Sequence, residues 1–149
     1  MIALVLAAAA LVVPAGEAFT CTPVRVWDAD GPIWCAEGPR VRIHGIAARE
    51  MDGTCRPGHP CPDMAPAAAR DALITLLRPA ETGTAPTGHV VLTDAPALAC
   101  RSHGGANGNR TAAACALEDG SDLACRLIAG GAVLEWLRYS KGAYRRCAR

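Results

Sequence analysis

Residues 22–27, TPVRVW, alternate apolar and polar with the period of two of a half-buried strand, which puts Val24 and Val26 on one face. Asp28-Ala29-Asp30-Gly31-Pro32 follows as a turn, and Ile33-Trp34-Cys35 begins a return strand. The alternation resumes at Arg40-Val41-Arg42-Ile43, Gly45 breaks it, and a short apolar bend leads to Glu50, completing a three-strand meander. In residues 64–77 the period changes: Ala69, Leu73, Leu76 and Leu77 make the inward stripe of a helix, with Pro66 in its first turn. Residues 79–87 read as a turn-rich connector, Val90-Val91-Leu92 and Ala97-Leu98-Ala99-Cys100 as short strands, and Ser102 to Asn109 as a loop. Thr111 to Leu117 is the next strand, with Arg110 at its mouth. Ser121 caps a second helix with Leu123, Leu127 and Ile128 inside, and Gly130-Gly131 stops it. Residues 132–140 are a short helix or an extended packing segment. These elements predict an α+β, mainly β domain or a small barrel.

Length adds that one domain is enough for 149 residues. A net charge of +1 supplies no global field toward nucleic acid or membrane, so any phosphate site must be local. Residues 2–13, IALVLAAAALVV, form an unbroken apolar run followed by small residues up to Ala18. That is the pattern of a signal peptide over residues 1–18, cleaved after Ala15 or Ala18, although no Lys or Arg precedes it. The run is shorter than the roughly 20 residues that cross a bilayer, so no stable membrane insertion is expected after cleavage. The expected mature domain is 19–149, exported to a periplasmic or extracellular space.

Export changes the reading of the eight cysteines, Cys21, Cys35, Cys55, Cys61, Cys100, Cys115, Cys125 and Cys147. An even number of thiols in an oxidising compartment implies disulfides, and roughly a hundred pairings are open. Cys21 and Cys35 lie symmetrically about the 28–31 turn, and Cys55 and Cys61 close a short loop. Cys55, His59 and Cys61 also suggest zinc, but exported thiols oxidise and the spacing is not that of a common zinc site. Residues 51–63, MDGTCRPGHPCPD, are thus a surface loop with its own staple.

The stretch with most chemistry is residues 40–50, RVRIHGIAARE. A guanidinium matches two phosphate oxygens and a carboxylate can activate water or bind a metal, so Arg42 and Glu50 beside one pocket suit phosphate chemistry. Ordinary solvated charges on a strand would look the same. The stretch resembles the RVRLxGIDAPE signature of the staphylococcal nuclease (thermonuclease) family. Asp28-Ala29-Asp30-Gly31 stands where that family has a DGDT-like turn, and Asn109 to Ala114 where it has a GRxxA-type strand. Asp119-Gly120-Ser121-Asp122-Leu123 stands at its DGxxL helix start. The resemblance covers roughly residues 22–140.

The resemblance implies an OB-fold five-stranded barrel with two to three helices, disulfide-stabilised here, and calcium-assisted hydrolysis of DNA or RNA, preferably single-stranded, by a monomer. Glu50 would be the general base, Arg42 and Arg110 would bind phosphate, and Asp30 and the backbone carbonyl of Ala48 would ligate Ca²⁺. Asp28 would support Asp30, and Tyr139 fits one of the tyrosines the family uses near the nucleotide. Cys100 and Cys115 fall on neighbouring strands in the family's order, and Cys125 on its helix would then tie down Cys147.

The departures also bear on function. Ala47 replaces the family's second metal carboxylate, Arg49 its proline, Gly31 the threonine of the turn and Leu137 another tyrosine. A binding module that lost turnover, taking nucleic acid or another ligand, is therefore the alternative, and an exported protein-interaction domain is a third reading. Arg138, Lys141, Arg145, Arg146 and Arg149 make a basic tail that a solvated terminus explains without nucleic acid. His44, His59, His89 and His103 show no pattern that points to a role; His44 reads as packing or surface.

Overall fold

The computed structural model describes residues 11–147. Most of the apolar run at the N-terminus and the final Arg149 lie outside them. The fold is α+β, mainly β. The strands are β1 (Ala18–Cys21), β2 (Pro23–Asp28), β3 (Gly31–Cys35), β4 (Arg40–Ile43), β5 (Ile46–Ala47), β6 (Glu81–Thr84), β7 (Val90–Thr93), β8 (Leu98–Ala106), β9 (Arg110–Ala116) and β10 (Leu134–Glu135). The helices are α1 (Pro66–Leu77), α2 (Leu123–Ala129) and α3 (Leu137–Ser140). Eight strands, where five were expected, bond into one sheet in the order β1-β8-β9-β4-β3-β2-β7-β6, and β5 pairs with β10.

The meander β2-β3-β4 forms as its alternation predicts, with Val26, Ile33, Val41 and Ile43 fully buried. A register shift between Pro23 and Arg25 takes Val24 out of the alternation, so Val24 and Val26 do not share one buried face. The alternate, less buried positions Arg25, Trp34, Arg40 and Arg42 lie on the opposite face. β9 returns parallel to β4, and every other pairing in the large sheet is antiparallel. Ala69, Leu73 and Leu77 of α1 and Leu123, Ala124 and Leu127 of α2 close the core.

Four strand or cap assignments differ from the sequence pattern. β6 lies inside the supposed connector, and its four exposed residues give no hydrophobic signal because an edge strand pairs through its backbone. β8 runs on to Ala106 through residues read as loop, accommodating Gly104 (φ +101°) at a bulge. β1 pairs with β8 along Ala18 to Cys21, at the end of the supposed leader. Just before it, Gly16 donates from its N–H to the Ser102 carbonyl at 2.8 Å and Val13 to Thr111 Oγ1 at 3.0 Å. The cap of α2 is Asp122, which accepts from the Cys125 N–H at 2.9 Å, while Ser121 bonds to Asp119. Residues 132–140 divide into β10 and α3, so both expectations for that segment hold in part.

All eight cysteines pair: Cys21–Cys35, Cys55–Cys61, Cys100–Cys115 and Cys125–Cys147. Cys100 and Cys115 face each other across β8 and β9. Four disulfides are the pattern of a protein matured in an oxidising compartment. No helix among the described residues is long and apolar enough to cross a membrane.

Candidate functional site

The turn between β2 and β3 depends on Gly31. It sits at φ +108°, and a Cβ there would lie 2.5 Å from the backbone carbonyl of Val41. This close approach sets the Asp28–Asp30 turn against β4, where alternation sends Arg42 outward. Gly45 does the same for the other wall: at φ +76°, its Cβ would meet Ser140 Cβ at 2.9 Å. The β4–β5 turn therefore seats directly on α3, and Tyr144 donates from its hydroxyl to the His44 carbonyl at 2.9 Å.

Between these walls lies a cleft of about 670 Å³. Asp28, Asp30, Arg42, Glu50, Arg110 and Tyr139 all line it, so side chains from β2, the β2–β3 turn, β4, the following loop, β9 and α3 meet at one place. Ala48 is not among its lining residues.

Arg42 is heavily engaged. Nη2 donates to Asp30 Oδ2 at 3.2 Å, and Nη1 donates to the carbonyls of Ile43 at 3.0 Å and Ile46 at 3.2 Å. Ala48 meets Asp30 through its backbone N–H, which donates to the same Oδ2 at 3.2 Å. Glu50 pairs with Arg56 Nε at 3.3 Å, and Arg56 belongs to the loop closed by Cys55–Cys61. Arg110, a lining residue of the cleft, donates from Nε to the Asn107 carbonyl at 2.8 Å.

Asp28 is only 6% exposed and accepts the Asp30 N–H at 3.2 Å. Burial, and then the adjoining Asp30 carboxyl, push its pKa up to about 9, so it carries a proton at neutral pH. Calcium takes six to eight oxygens, favouring carboxylates. Here Asp30 Oδ2 accepts from two donors, and Ala47 is buried and apolar. No group of three or more His, Cys, Asp or Glu side chains among the described residues is disposed to hold a metal. Of the side chains expected to ligate calcium, Asp30 lines the cleft with its Oδ2 engaged by Arg42 and Ala48.

The sequence reading missed an aromatic wall. His59 tilts against Trp136 at 4.2 Å, and Trp136 meets Tyr139 edge-on at 4.7 Å. His44 and His103 stack at 3.7 Å with planes 5° apart, and His44 Nε2 lies 3.2 Å from the Tyr139 carbonyl. Burial, then His103, lowers the His44 pKa. His44 therefore packs on His103 and also lines the cleft, which the reading of it as packing or surface did not include. Only the position of His44 inside the 40–50 stretch could have signalled this, because His103 approaches from β8.

Comparison with protein-family models, curated proteins and solved structures finds no match for the chain.

Proposed function

We propose that the chain is an exported phosphodiester hydrolase acting on DNA or RNA, preferably single-stranded, in the manner of the staphylococcal nuclease family its sequence resembles. One observation carries this reading: Glu50, Arg42 and Arg110, 68 positions apart at their extremes in sequence, line the same cleft with Asp30 and Tyr139. The meander, then α1, the β6–β7 hairpin against β2, and β9 returning parallel to β4 are consistent with the OB barrel that the resemblance implies.

In this reading Arg110 offers its guanidinium to a phosphate, and Arg42 on the adjacent strand, fixed by carbonyls and Asp30, contributes positive charge beside it. Glu50 takes a proton from a water whose oxygen attacks phosphorus. The ester P–O bond breaks, and the leaving oxygen is protonated by solvent. The aromatic wall offers faces on which bases can stack. No step is assigned to calcium.

The test is hydrolysis of heat-denatured DNA by the oxidised protein, with Ca²⁺ titrated against EDTA. The expected result is cleavage that disappears in Glu50→Gln. A folded protein that cleaves at no calcium level would sink the hydrolase reading. The mutual engagement of Arg42 and Asp30, with Ala47 alongside, favours a second reading, a binding module without turnover. It would keep its affinity in Glu50→Gln.

A further inference from the structure

Outside the cleft, the strand register assembles a feature that no segment shows alone. Arg25 of β2 stands opposite Trp34 of β3, Trp34 opposite Arg40 of β4, and Arg40 beside Arg110 of β9. Directly paired residues share a face, so Arg25, Trp34, Arg40 and Arg110 form one cross-strand row, spanning three inter-strand steps of about 4.8 Å. The neighbouring row along the same strands is Trp27, Pro32 and Arg42, all of which line the cleft. Arg110 lies in the cleft as well, so the row runs out of it through Arg40 and Trp34 to Arg25.

The row is short of negative charge. Among the described residues the ion pairs are Arg42–Asp30, Arg56–Glu50 and Arg126–Asp119, and none includes Arg25, Arg40 or Arg110. Arg40 lies 3.9 Å above the Trp34 ring and Arg25 5.3 Å from it, so the indole holds both guanidiniums in place without neutralising them. His89 fills the corner between Trp27 and Trp34 at 4.9 and 5.1 Å. Burial first, and then the charges of Arg25, Arg40 and Arg70, hold its pKa down, so the imidazole is disfavoured from adding a charge of its own. Like charges side by side on a sheet are destabilising unless a counter-charge arrives. An extended polyanion supplies one at each step.

We propose that Arg25, Trp34 and Arg40 form a backbone-phosphate subsite for the part of a single-stranded nucleic acid that extends beyond the cleft. The proposal rests on the hydrolase reading for its substrate class and goes beyond it in assigning a length-dependent second contact. A strand too short to leave the cleft does not feel this subsite. A longer one gains phosphate contacts, and with them a steeper salt dependence.

The experiment is fluorescence anisotropy with labelled oligothymidylates of about 4 and about 16 nucleotides. It compares the oxidised protein with its R25Q/R40Q and R25K/R40K variants between about 50 and 200 mM salt. For R25Q/R40Q, affinity for the long oligonucleotide should fall about tenfold and the salt slope by about 1.4, while the short one binds as before. R25K/R40K should recover most of the loss. Unchanged long-oligonucleotide binding in R25Q/R40Q would overturn the proposal. Failure of the lysine variant to rescue would overturn it too, by tracing the loss to the fold. Displacement by polyglutamate of equal charge as effectively as by oligothymidylate would overturn the nucleic-acid assignment. Because binding needs no turnover, absence of cleavage with this arginine dependence intact would reject the hydrolase reading and leave the subsite standing.

Discussion

Arg42 Nη2 and Asp30 Oδ2 lie 3.2 Å apart, so the arginine expected to hold phosphate and the aspartate expected to hold a metal hold each other. Both side chains are about four-fifths buried, at 21% and 16% exposure, so the pair is only partly screened. A double-mutant cycle with Arg42→Met and Asp30→Asn should give a coupling of about 1–3 kcal/mol in urea denaturation. Additive single effects would mean that the pair does not stabilise the fold.

Asp28 should make stability fall as pH rises. Below about pH 4 its carboxyl is protonated in both states. From there to about 9 the folded state keeps a proton that the unfolded chain has released, so this group's contribution is lost across that window. Asp28→Asn keeps an acceptor for the Asp30 N–H and cannot ionise. Its stability relative to the parent should rise with pH, by at most about 1.4 kcal/mol per unit. Urea midpoints at about pH 5 and about pH 8 would show it, and parallel curves would contradict the buried proton.

Gly31→Ala should be more damaging than Gly45→Ala. The added methyl at Gly31 meets a backbone oxygen at 2.5 Å, whereas at Gly45 the nearest atom is the Ser140 side chain at 2.9 Å. Both sit at positive φ, so both should lose roughly 1–3 kcal/mol, with Gly31 at or beyond the upper end. Thermal unfolding would rank them, and equal losses would show that φ strain dominates over the contact.

The disulfides should differ in what they contribute. Cys55–Cys61 closes 6 positions and Cys125–Cys147 closes 22. Loop entropy assigns about 2 kcal/mol to the first and about 3 to the second. The Cys55→Ser/Cys61→Ser variant should therefore stay folded. Because the staple carries Arg56 and His59 into the cleft, its removal should lower the proposed hydrolysis more than stability. Full activity in that variant would show that the loop finds its place unaided.

The meander, both main helices and the near pairs of cysteines were readable because each is a local statement. Val26, Ile33, Val41 and Ile43 announce strands by alternation, and Ala69, Leu73 and Leu77 announce a helix by its period. β6 was not readable, because exposed edge residues need only backbone partners and carry no apolar signature. The strand end of β8 was hidden in the same way by glycines.

By itself the sequence determined which short segments extend or coil, that the thiols pair, and that one stretch carries an arginine and a glutamate of chemical interest. The tertiary structure alone decided that Arg42 binds Asp30, that Asp28 keeps a proton, that His44 stacks on His103, and that Arg25, Trp34, Arg40 and Arg110 stand in one row. The reason is physical. Periodicity reports which face of an element is dry, whereas a side chain's partner is set by strand register, and β4 acquires its neighbour β9 from some 70 positions away in the chain.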